Sequence, residues 1–244
     1  TIMPTDDTLP YDMRDILELV FDAGSILENH EQFAPNAITA FARLDGNSVG
    51  VVANQPAVLS GSLDLDSSDK IARFVRICDM FNIPLVTFVD CPGYLPGVDQ
   101  EHNGVIRHGA KIIYAFAQAT VPKLSVITRK AIGGSYVAMS SKQMGNDIAF
   151  AWPSAQIAVM GAEGAARLLH SKAIAAAEDP AKAEDEFIRE YKERLFNPYE
   201  AADVGQIDEV IEPRETRLRL IRALEVLRTK VHTNVPKKHG LFPV

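Results

Sequence analysis

The sequence predicts an α/β protein with a mostly parallel sheet and an antiparallel hairpin near its start. Short apolar runs rich in β-branched residues alternate with longer segments of helical spacing. Two of the runs, 37–44 and 48–53, flank an Asp-Gly-Asn turn, which is typical of a hairpin. The chain has 244 residues, of which 47% are hydrophobic, so it is long enough to bury a sizeable core.

Taken in order, the chain begins with a segment that we interpret as a linker, residues 1–10, and continues as one domain over 11–244. The first residue is not Met, and we expect the chain to be part of something longer. A first helix is predicted over 11–21, with Asp12 as its N-cap and Gly24 just past its end. A loop follows the hairpin, and Ser67 to Asp69 are predicted to cap a second helix that ends at Phe81.

The central unit runs from residue 83 to 144 and is predicted as strand, loop, helix, strand, loop, helix. Its strands are residues 84–90 and 123–130, and its first helix covers 103–119. The loops at 91–97 and 131–136 are rich in glycine and stand where a strand ends and a helix begins. In open α/β sheets ligands bind at that edge, and glycines there leave backbone N–H groups free for an anion.

The last third of the chain continues the same alternation. Strands are expected at 147–152, 156–160 and 207–211, and helices after the 161–164 turn, over 179–195, over 198–204 and from Pro213 onward. The tail after Pro236 is basic, and we expect it to be exposed.

The amino-acid composition of the chain argues against several classes of protein function. The net charge is −7 and the isoelectric point is about 5.4, which argues against nucleic acid as a partner. No apolar run has the length of a membrane span. Two cysteines make no disulfide framework, so a reducing cytoplasm is the expected setting. No Cys or His set has the spacing of a metal site.

The first loop offers several candidate groups, each with a plainer alternative. Asp90 and Glu101 are expected to pair with Arg107 or Lys111 rather than to act chemically. His108 lies in a predicted helix, where a structural role is the preferred interpretation. Cys91 has no obvious histidine partner, which argues against a nucleophile. The loop can therefore also be interpreted as an ordinary connection between a strand and a helix, without a functional role.

The second loop is more suggestive of a site. Gly133, Gly134 and Ser135 carry little side-chain bulk, so a ligand can approach the main chain closely. Backbone N–H groups at the start of the following helix can hold an oxyanion, which is often the largest contribution to enolate and acyl-transfer catalysis. A helix packed tightly on a strand is the alternative. Neither Walker A nor Gly-x-Gly-x-x-Gly spacing is present.

Four stretches of the sequence carry more specific information about function than the spacing of residues does. They read Asp-Cys-Pro-Gly-Tyr-Leu-Pro-Gly at 90–97, Gly-Val-Ile-Arg-His-Gly-Ala-Lys at 104–111, Ile-Thr-Arg-Lys-Ala-Ile-Gly-Gly-Ser-Tyr at 127–136 and Ala-Trp-Pro-Ser-Ala-Gln-Ile-Ala-Val-Met-Gly at 151–161. With them the chain closely resembles the carboxyltransferase (β) subunit of biotin-dependent acyl-CoA carboxylases, of the propionyl-CoA carboxylase β type. The likeness covers nearly the whole chain but only the C-terminal half of that subunit.

The resemblance implies a crotonase/ClpP-like fold of repeated ββα units. It also implies that the two halves of the subunit bind different ligands. A missing N-terminal half would hold acyl-CoA, and this half would hold biotin attached to a carrier protein. Carboxybiotin would give up CO2, and the ureido oxygen left behind would be held by the N–H groups of Gly134 and Ser135. The biotin nitrogen would then take the α-proton of the acyl-CoA, and the resulting enolate would attack CO2. No biotin would be bound covalently to this chain.

The resemblance extends to site residues and partners. Gly133 to Ser135 together with Pro92, Gly93 and Tyr94 would form the biotin and oxyanion wall, and Tyr136 and Val137 would line the substrate pocket. Expected partners are the biotin carboxylase and carrier subunit, the N-terminal half and further copies of the chain, with a hexamer for the intact subunit. Neither nucleic acid nor a membrane is expected.

One position departs from the family pattern. Many propionyl-type members have Gly-Gly-Ala-Tyr-Asp where this chain has Gly-Gly-Ser-Tyr-Val at 133–137. The position of Val137 resembles a determinant of acyl choice in the family, and an apolar side chain there is compatible with a longer or branched acyl group. Ser135 in place of Ala is harmless if only its N–H is used.

Three alternatives stay open at the level of sequence. The first is the carboxyltransferase subunit of a biotin-dependent acyl-CoA decarboxylase coupled to a membrane sodium pump, since the same site run backwards would serve both. The second is a non-catalytic half that only assembles with a partner. The third is a crotonase-like hydratase or isomerase, which would need a carboxylate base at the pocket.

Overall fold

A computed structural model describes residues 2–244 of the chain, and within them one eight-stranded sheet carries helices on both faces. The strands are β1 (Leu27–Glu28), β2 (Ala37–Leu44), β3 (Asn47–Asn54), β4 (Leu85–Cys91), β5 (Lys123–Ile132), β6 (Ile148–Ala151), β7 (Gln156–Ala158) and β8 (Glu209–Val210). The helices are α1 (Met13–Val20), α2 (Leu65–Met80), α3 (Val98–His102), α4 (Val105–Gln118), α5 (Gly133–Ala138), α6 (Ala162–Ala176), α7 (Pro180–Leu195), α8 (Pro198–Asp203) and α9 (Thr216–Val226).

The strand order confirms a mostly parallel sheet with an antiparallel start. The order is β1-β2-β3-β4-β5-β6-β8, and β7 pairs with the far end of β5. β1, β2 and β3 are antiparallel, while every pair from β3 onward is parallel. Parallel neighbours need a crossover, and α2, α4 and α5 supply those around the centre.

Both faces of the sheet are covered, so its central strands read as continuous apolar runs. All seven residues of β4 are buried. Leu85 and Val89 belong to the core that packs under α2 and α4, whereas Val86 and Phe88 belong to the core that packs under α1 and α9. This alternation explains why the strand showed no polar face in the sequence.

Most predicted elements are confirmed within a few residues, but three boundaries were wrong. α2 begins three residues earlier than expected because Asp64 rather than Ser67 is its N-cap. The helix expected over 103–119 is preceded by a separate short helix, α3, and begins at Val105 after a left-handed Gly104. The helix expected after the 161–164 turn begins inside it, at Ala162.

The N-terminal segment contacts the body of the protein, although residues 2–10 contain no helix or strand. The Asp7 carboxylate accepts a hydrogen bond from Gln156 Nε2 at 2.8 Å, and the Leu9 carbonyl accepts one from Arg129 at 2.9 Å. The expected linker therefore has fixed anchor points in its second half. Its first residue, Thr1, lies outside the described residues.

Residues 2–244 contain neither a membrane-spanning helix nor a cluster of metal ligands. Each helix there is too short or too polar to cross a bilayer. The same residues contain no group of three His, Cys, Asp or Glu side chains placed to hold a metal ion.

Candidate functional site

The two glycine-bearing loops emerge next to each other, because β4 and β5 are parallel neighbours. Cys91, the last residue of β4, lies opposite Ala131, and β5 ends one residue later at Ile132. A cavity of about 470 Å³ opens at this edge of the sheet and is bordered by Gly133 and Gly134. The structure thus places the second loop, as predicted, at the carboxyl ends of the strands, where α/β proteins bind ligands.

Gly133 and Gly134 lack side chains for different reasons. Gly133 has φ +66°, a left-handed conformation, and a Cβ there would lie 3.2 Å from the carbonyl oxygen of Val159. Gly134 has an ordinary φ, is exposed, and a Cβ built on it would meet nothing within 4 Å. Among the described residues 2–244, apart from those adjoining Gly134 in the chain, no atom lies within 4 Å of that Cβ position, so the space beside Gly134 is open to a ligand.

The short helix α5 starts at Gly133, directly after the last residue of β5. The initial N–H groups of a helix have no partner inside the helix. Among residues 2–244 no side chain caps α5. The Ser135 hydroxyl is buried and donates to the Ile132 carbonyl at 2.8 Å, so it is already used within the chain, whereas Gly134 is exposed. This is an arrangement of backbone donors without a strong catalytic side chain.

Tyr136 and Val137 both line the same cavity, and their role in a substrate pocket stays a prediction. Burial raises the pKa of Tyr136 to about 12, so its phenol is neutral at physiological pH. Val137 is half-buried and presents an apolar side chain. The pocket wall next to the glycines is therefore uncharged.

The remaining walls of the cavity come from elements that the sequence gave no reason to single out. Ile157 and Val159 approach from β7 and the turn after it, and Tyr191 approaches from α7. Glu200 and Gln206 bring polar groups to the rim from α8 and the loop behind it. A sequence signal existed only for β7, which was predicted as a strand over 156–160, but its pairing with the end of β5 was not predicted.

The first loop, residues 91–97, does not border this cavity in the way that the second loop does. The lining residues in the described part of the chain do not include Pro92, Gly93 or Tyr94. The Tyr94 ring packs on α4, where a Cβ on Gly109 would lie 2.7 Å from its hydroxyl oxygen, and its backbone pairs with Leu63. The role of these three residues in a biotin wall stays a prediction.

The charged residues of the first loop pair differently from expectation. Asp90 is fully buried and pairs with Arg129 on the neighbouring strand, at 2.9 Å, rather than with Arg107 or Lys111. Lys111 instead contacts Asp69 of α2 at 2.8 Å. The expected pairing was wrong because helical spacing describes neighbours within a helix, whereas these pairs form between elements.

The contacts and burial of His108 and Cys91 indicate that both residues have structural roles. His108 Nδ1 lies 3.0 Å from the Asp69 carboxylate, in a half-buried pair between α2 and α4. Cys91 is fully buried, and burial raises the pKa of its thiol to about 11. A thiol in that state is not the nucleophilic thiolate, in agreement with the sequence argument.

Comparison with known proteins supplies the family. The model of the carboxyl transferase domain matches residues 1–242. The chain belongs to this carboxyl transferase family. Its fold is accordingly crotonase-like, and the α/β architecture agrees with that.

Relatives of this carboxyl transferase domain include subunits of two kinds of enzyme. The chain is 54% identical over 243 residues to the "Propionyl-CoA carboxylase, carboxyltransferase subunit" of Haloferax mediterranei, covering 100% of this chain and 47% of the relative. It is 50% identical over 243 residues to the "Methylmalonyl-CoA decarboxylase subunit alpha" of Propionigenium modestum, covering 100% and 47%.

Among solved structures, transcarboxylase 12S superposes on this carboxyl transferase domain with a TM-score of 0.97. The two are 54% identical, and the match covers 100% of this chain and 47% of the other. That structure is described as a hexamer assembly with methylmalonyl-coenzyme A and methylmalonic acid bound. The chain thus spans about half the length of the relatives that it matches.

Proposed function

We propose that this chain is the biotin-side half of an acyl-CoA carboxyltransferase. In the complete enzyme it would help to move a carboxyl group from biotin on a carrier protein to the α-carbon of an acyl-CoA. The observation that carries the proposal is the open space beside Gly134, which lies in the first turn of a helix that no side chain caps within residues 2–244. Family membership supports carboxyl transfer as the reaction class.

The residues at the cavity fit a biotin ring. Biotin is a neutral bicyclic urea, and it supplies the site at which the transferred carboxyl group is carried. The N–H groups of Gly134 and Ser135 would donate hydrogen bonds to the urea oxygen and stabilise negative charge that develops there. Tyr136, Val137 and Ile157 provide uncharged walls, which exclude water and strengthen those hydrogen bonds.

The acyl group belongs to the same proposal. Val137 places an apolar side chain at the cavity, so we expect a propionyl group or a longer or branched acyl group. A carboxylate at that position would add a charge that an apolar acyl chain cannot pair. The half that holds the CoA moiety would be supplied by the N-terminal part of the complete subunit.

A decarboxylase is the second candidate, and the 50% identity to the Propionigenium modestum subunit supports it. Biotin held by the same backbone donors would then accept the carboxyl group that a malonyl-type CoA releases. Hydratase chemistry is a weaker alternative, because the carboxylate that borders the cavity in residues 2–244, Glu200, is on the exposed rim.

Assembly and setting complete the proposal. The partners would be the biotin carboxylase and carrier subunit, the missing half and further copies, as the hexamer of transcarboxylase 12S suggests. A cytoplasmic setting agrees with the two cysteines, Cys78 and Cys91, which are buried and free.

The direct test is carboxyl transfer from malonyl-CoA and methylmalonyl-CoA to free biotin. It is run with this chain alone and with the separately made N-terminal half of the Haloferax mediterranei relative. We expect activity only in the mixture. Activity of this chain alone would show that it also binds CoA, and no activity from two folded and associated halves would favour an assembly role.

Two variants of Gly134 sharpen the test. Gly134→Pro removes an N–H and should lower kcat by about 100-fold or more. Gly134→Ala keeps the N–H but fills the open space, and should raise KM for biotin by about 10-fold or more. Gly164→Ala is the matched control, since its Cβ also meets nothing within 4 Å and it lies in α6 away from the cavity. Equal kinetics for all three folded variants would exclude Gly134 from the site.

A further inference from the structure

A buried carboxylate holds the stretch of β5 that leads into Gly133. β4 and β5 are in register up to Val89 and Ile127, but the next pair is Cys91 with Ala131. One residue of β4, Asp90, therefore lies opposite three residues of β5, a bulge that breaks the backbone ladder. The buried N–H and C=O groups of these residues need other partners.

Side chains supply those partners. The Asp90 carboxylate accepts hydrogen bonds from Arg129 Nε at 2.9 Å and from the Lys130 N–H at 3.1 Å. The Thr128 hydroxyl donates to the Val89 carbonyl at 3.1 Å, and the Thr128 carbonyl accepts from the Ser154 hydroxyl at 2.8 Å. Charged acceptors make the stronger of these bonds, so the carboxylate is the main support of the bulge.

The same carboxylate is tied to the N-terminal segment. The Tyr11 hydroxyl donates to Asp90 Oδ2 at 2.9 Å, and the Arg129 guanidinium lies over the Tyr11 ring at 4.9 Å. Arg129 also donates to the Leu9 carbonyl at 2.9 Å, and Lys130 Nζ donates to the Asp7 carbonyl at 2.8 Å. Residues 7–11 and the bulge thus form one hydrogen-bonded unit.

The bulge lies immediately before the candidate oxyanion loop. Lys130 is three residues before Gly133, and β5 regains pairing there by aligning Lys130 with Gln156 and Ile132 with Ala158. The next residue after Ala158, Val159, has its carbonyl close to Gly133. Whatever fixes Lys130 therefore fixes the direction in which the Gly133 and Gly134 backbone leaves the sheet.

We propose that Asp90, acting through Arg129, Lys130 and Tyr11, is a positioning residue for the N–H groups of the Gly133–Gly134 loop. The placement of the loop is a property of this chain, whereas the identity of its ligand rests on the proposed function. Asp90 itself would touch neither biotin nor acyl-CoA. Its removal should loosen the loop and weaken ligand binding out of proportion to any loss of stability.

The experiment is amide hydrogen exchange of the whole chain, followed by NMR, for Ile132 to Ser135. Asp90→Asn should raise those exchange rates about tenfold or more, because a charge-assisted acceptor is lost. Tyr11→Phe, a milder change that keeps the ring, should raise them about threefold. Asp79→Asn is the matched control, since that carboxylate also accepts backbone N–H groups, from Thr120 and Val121, but at the other end of β5.

The control separates positioning from general destabilisation. The proposal holds if the Asp90 and Tyr11 variants accelerate exchange in the loop and Asp79→Asn, at a similar loss of Tm, does not. It is overturned if loop exchange is unchanged in Tyr11→Phe and in folded Asp90→Asn, or if it rises equally in Asp79→Asn. A parallel titration with biotin reports separately on the ligand: wild-type amides of Gly134 and Ser135 that do not shift would count against the proposed function alone.

Discussion

At the scale of single residues, Lys70 shows how a buried charge shapes the response to pH. Its side chain is buried, and Nζ donates to the carbonyls of Phe33 and Ala37 at 2.8 and 2.7 Å. Burial lowers the pKa of Lys70 from 10.5 to about 8. The amine therefore releases its proton at a lower pH in the folded chain than in the unfolded chain.

The sign of the pH dependence follows from this difference. Between pH 8 and 10.5 the unfolded state holds the Lys70 proton and the folded state has released it, so this residue makes stability rise with pH. The gain is at most about 3 kcal/mol over that range. We expect Lys70→Met to flatten the rise in the free energy of unfolding, measured by urea at several pH values.

A matched exposed lysine provides the control for this prediction. Lys172→Met changes an exposed side chain of α6 and should keep the wild-type pH profile. An unaltered profile in Lys70→Met would mean that the buried amine keeps its ordinary pKa.

At the scale of elements, α2 shows what decides where a helix begins. The Asp64 carboxylate accepts from the Ser67 N–H at 2.9 Å, and the Ser67 hydroxyl accepts from the Asp64 N–H at 2.8 Å, which is a reciprocal capping box. Asp64 also accepts from Asn36 at 3.1 Å, which ties the helix start to the strand β2 region. The capping box and the hydrogen bond from Asn36 therefore together determine where α2 begins.

This geometry predicts a ranking of two aspartates on the same helix. Asp64→Ala should lower the free energy of unfolding by about 1 kcal/mol or more, because the cap is lost. Asp69→Ala removes a part-exposed ion pair with Lys111 and His108, and should cost about 0.5 kcal/mol or less. Urea denaturation of both variants decides the ranking, and the reverse order would contradict the assigned helix start.

Elements such as β4 and β5 were predictable because their apolar, β-branched runs are local signals. The helix start at Asp64 was missed because Ser67 and Ser68 offer an equally good local cap, and the choice depends on Asn36, distant in sequence. The partner of Asp90 was missed for a similar reason, since Arg129 is 39 residues away. The glycine loop of the site was predicted from composition, whereas the Glu200 and Gln206 rim depends on how α8 packs.

At the scale of the whole molecule, the C-terminal tail crosses the outer surface of α2 and α4. Residues 230–244 form no helix or strand, yet Asn234 donates to the Gln118 carbonyl at 2.8 Å. Phe242 packs edge-on against Tyr114, with ring centroids 5.1 Å apart, and under Arg76 at 4.5 Å. One aromatic side chain therefore anchors the end of an otherwise exposed segment.

Proteolysis tests this anchor. Trypsin cuts after Lys237 and Lys238, which are exposed but lie between the anchors at Asn234 and Phe242. Phe242→Ala should raise the cleavage rate of the native chain about fivefold, the effect of losing one aromatic pair. Leu241→Ala is the control, because that side chain is 88% exposed and should leave the rate unchanged. Equal rates for both variants would show that Phe242 does not hold the tail.

The open space beside Gly134 has a consequence for anyone who sorts variants of this protein by abundance in cells. Most damaging substitutions lower the amount of folded protein, and abundance screens detect them for that reason. An alanine at Gly134 meets no neighbour within 4 Å, so such a molecule would accumulate normally. With the role proposed for Gly134, the defect would be visible only in a growth or metabolite assay, and a screen that reads expression alone would score the variant as harmless.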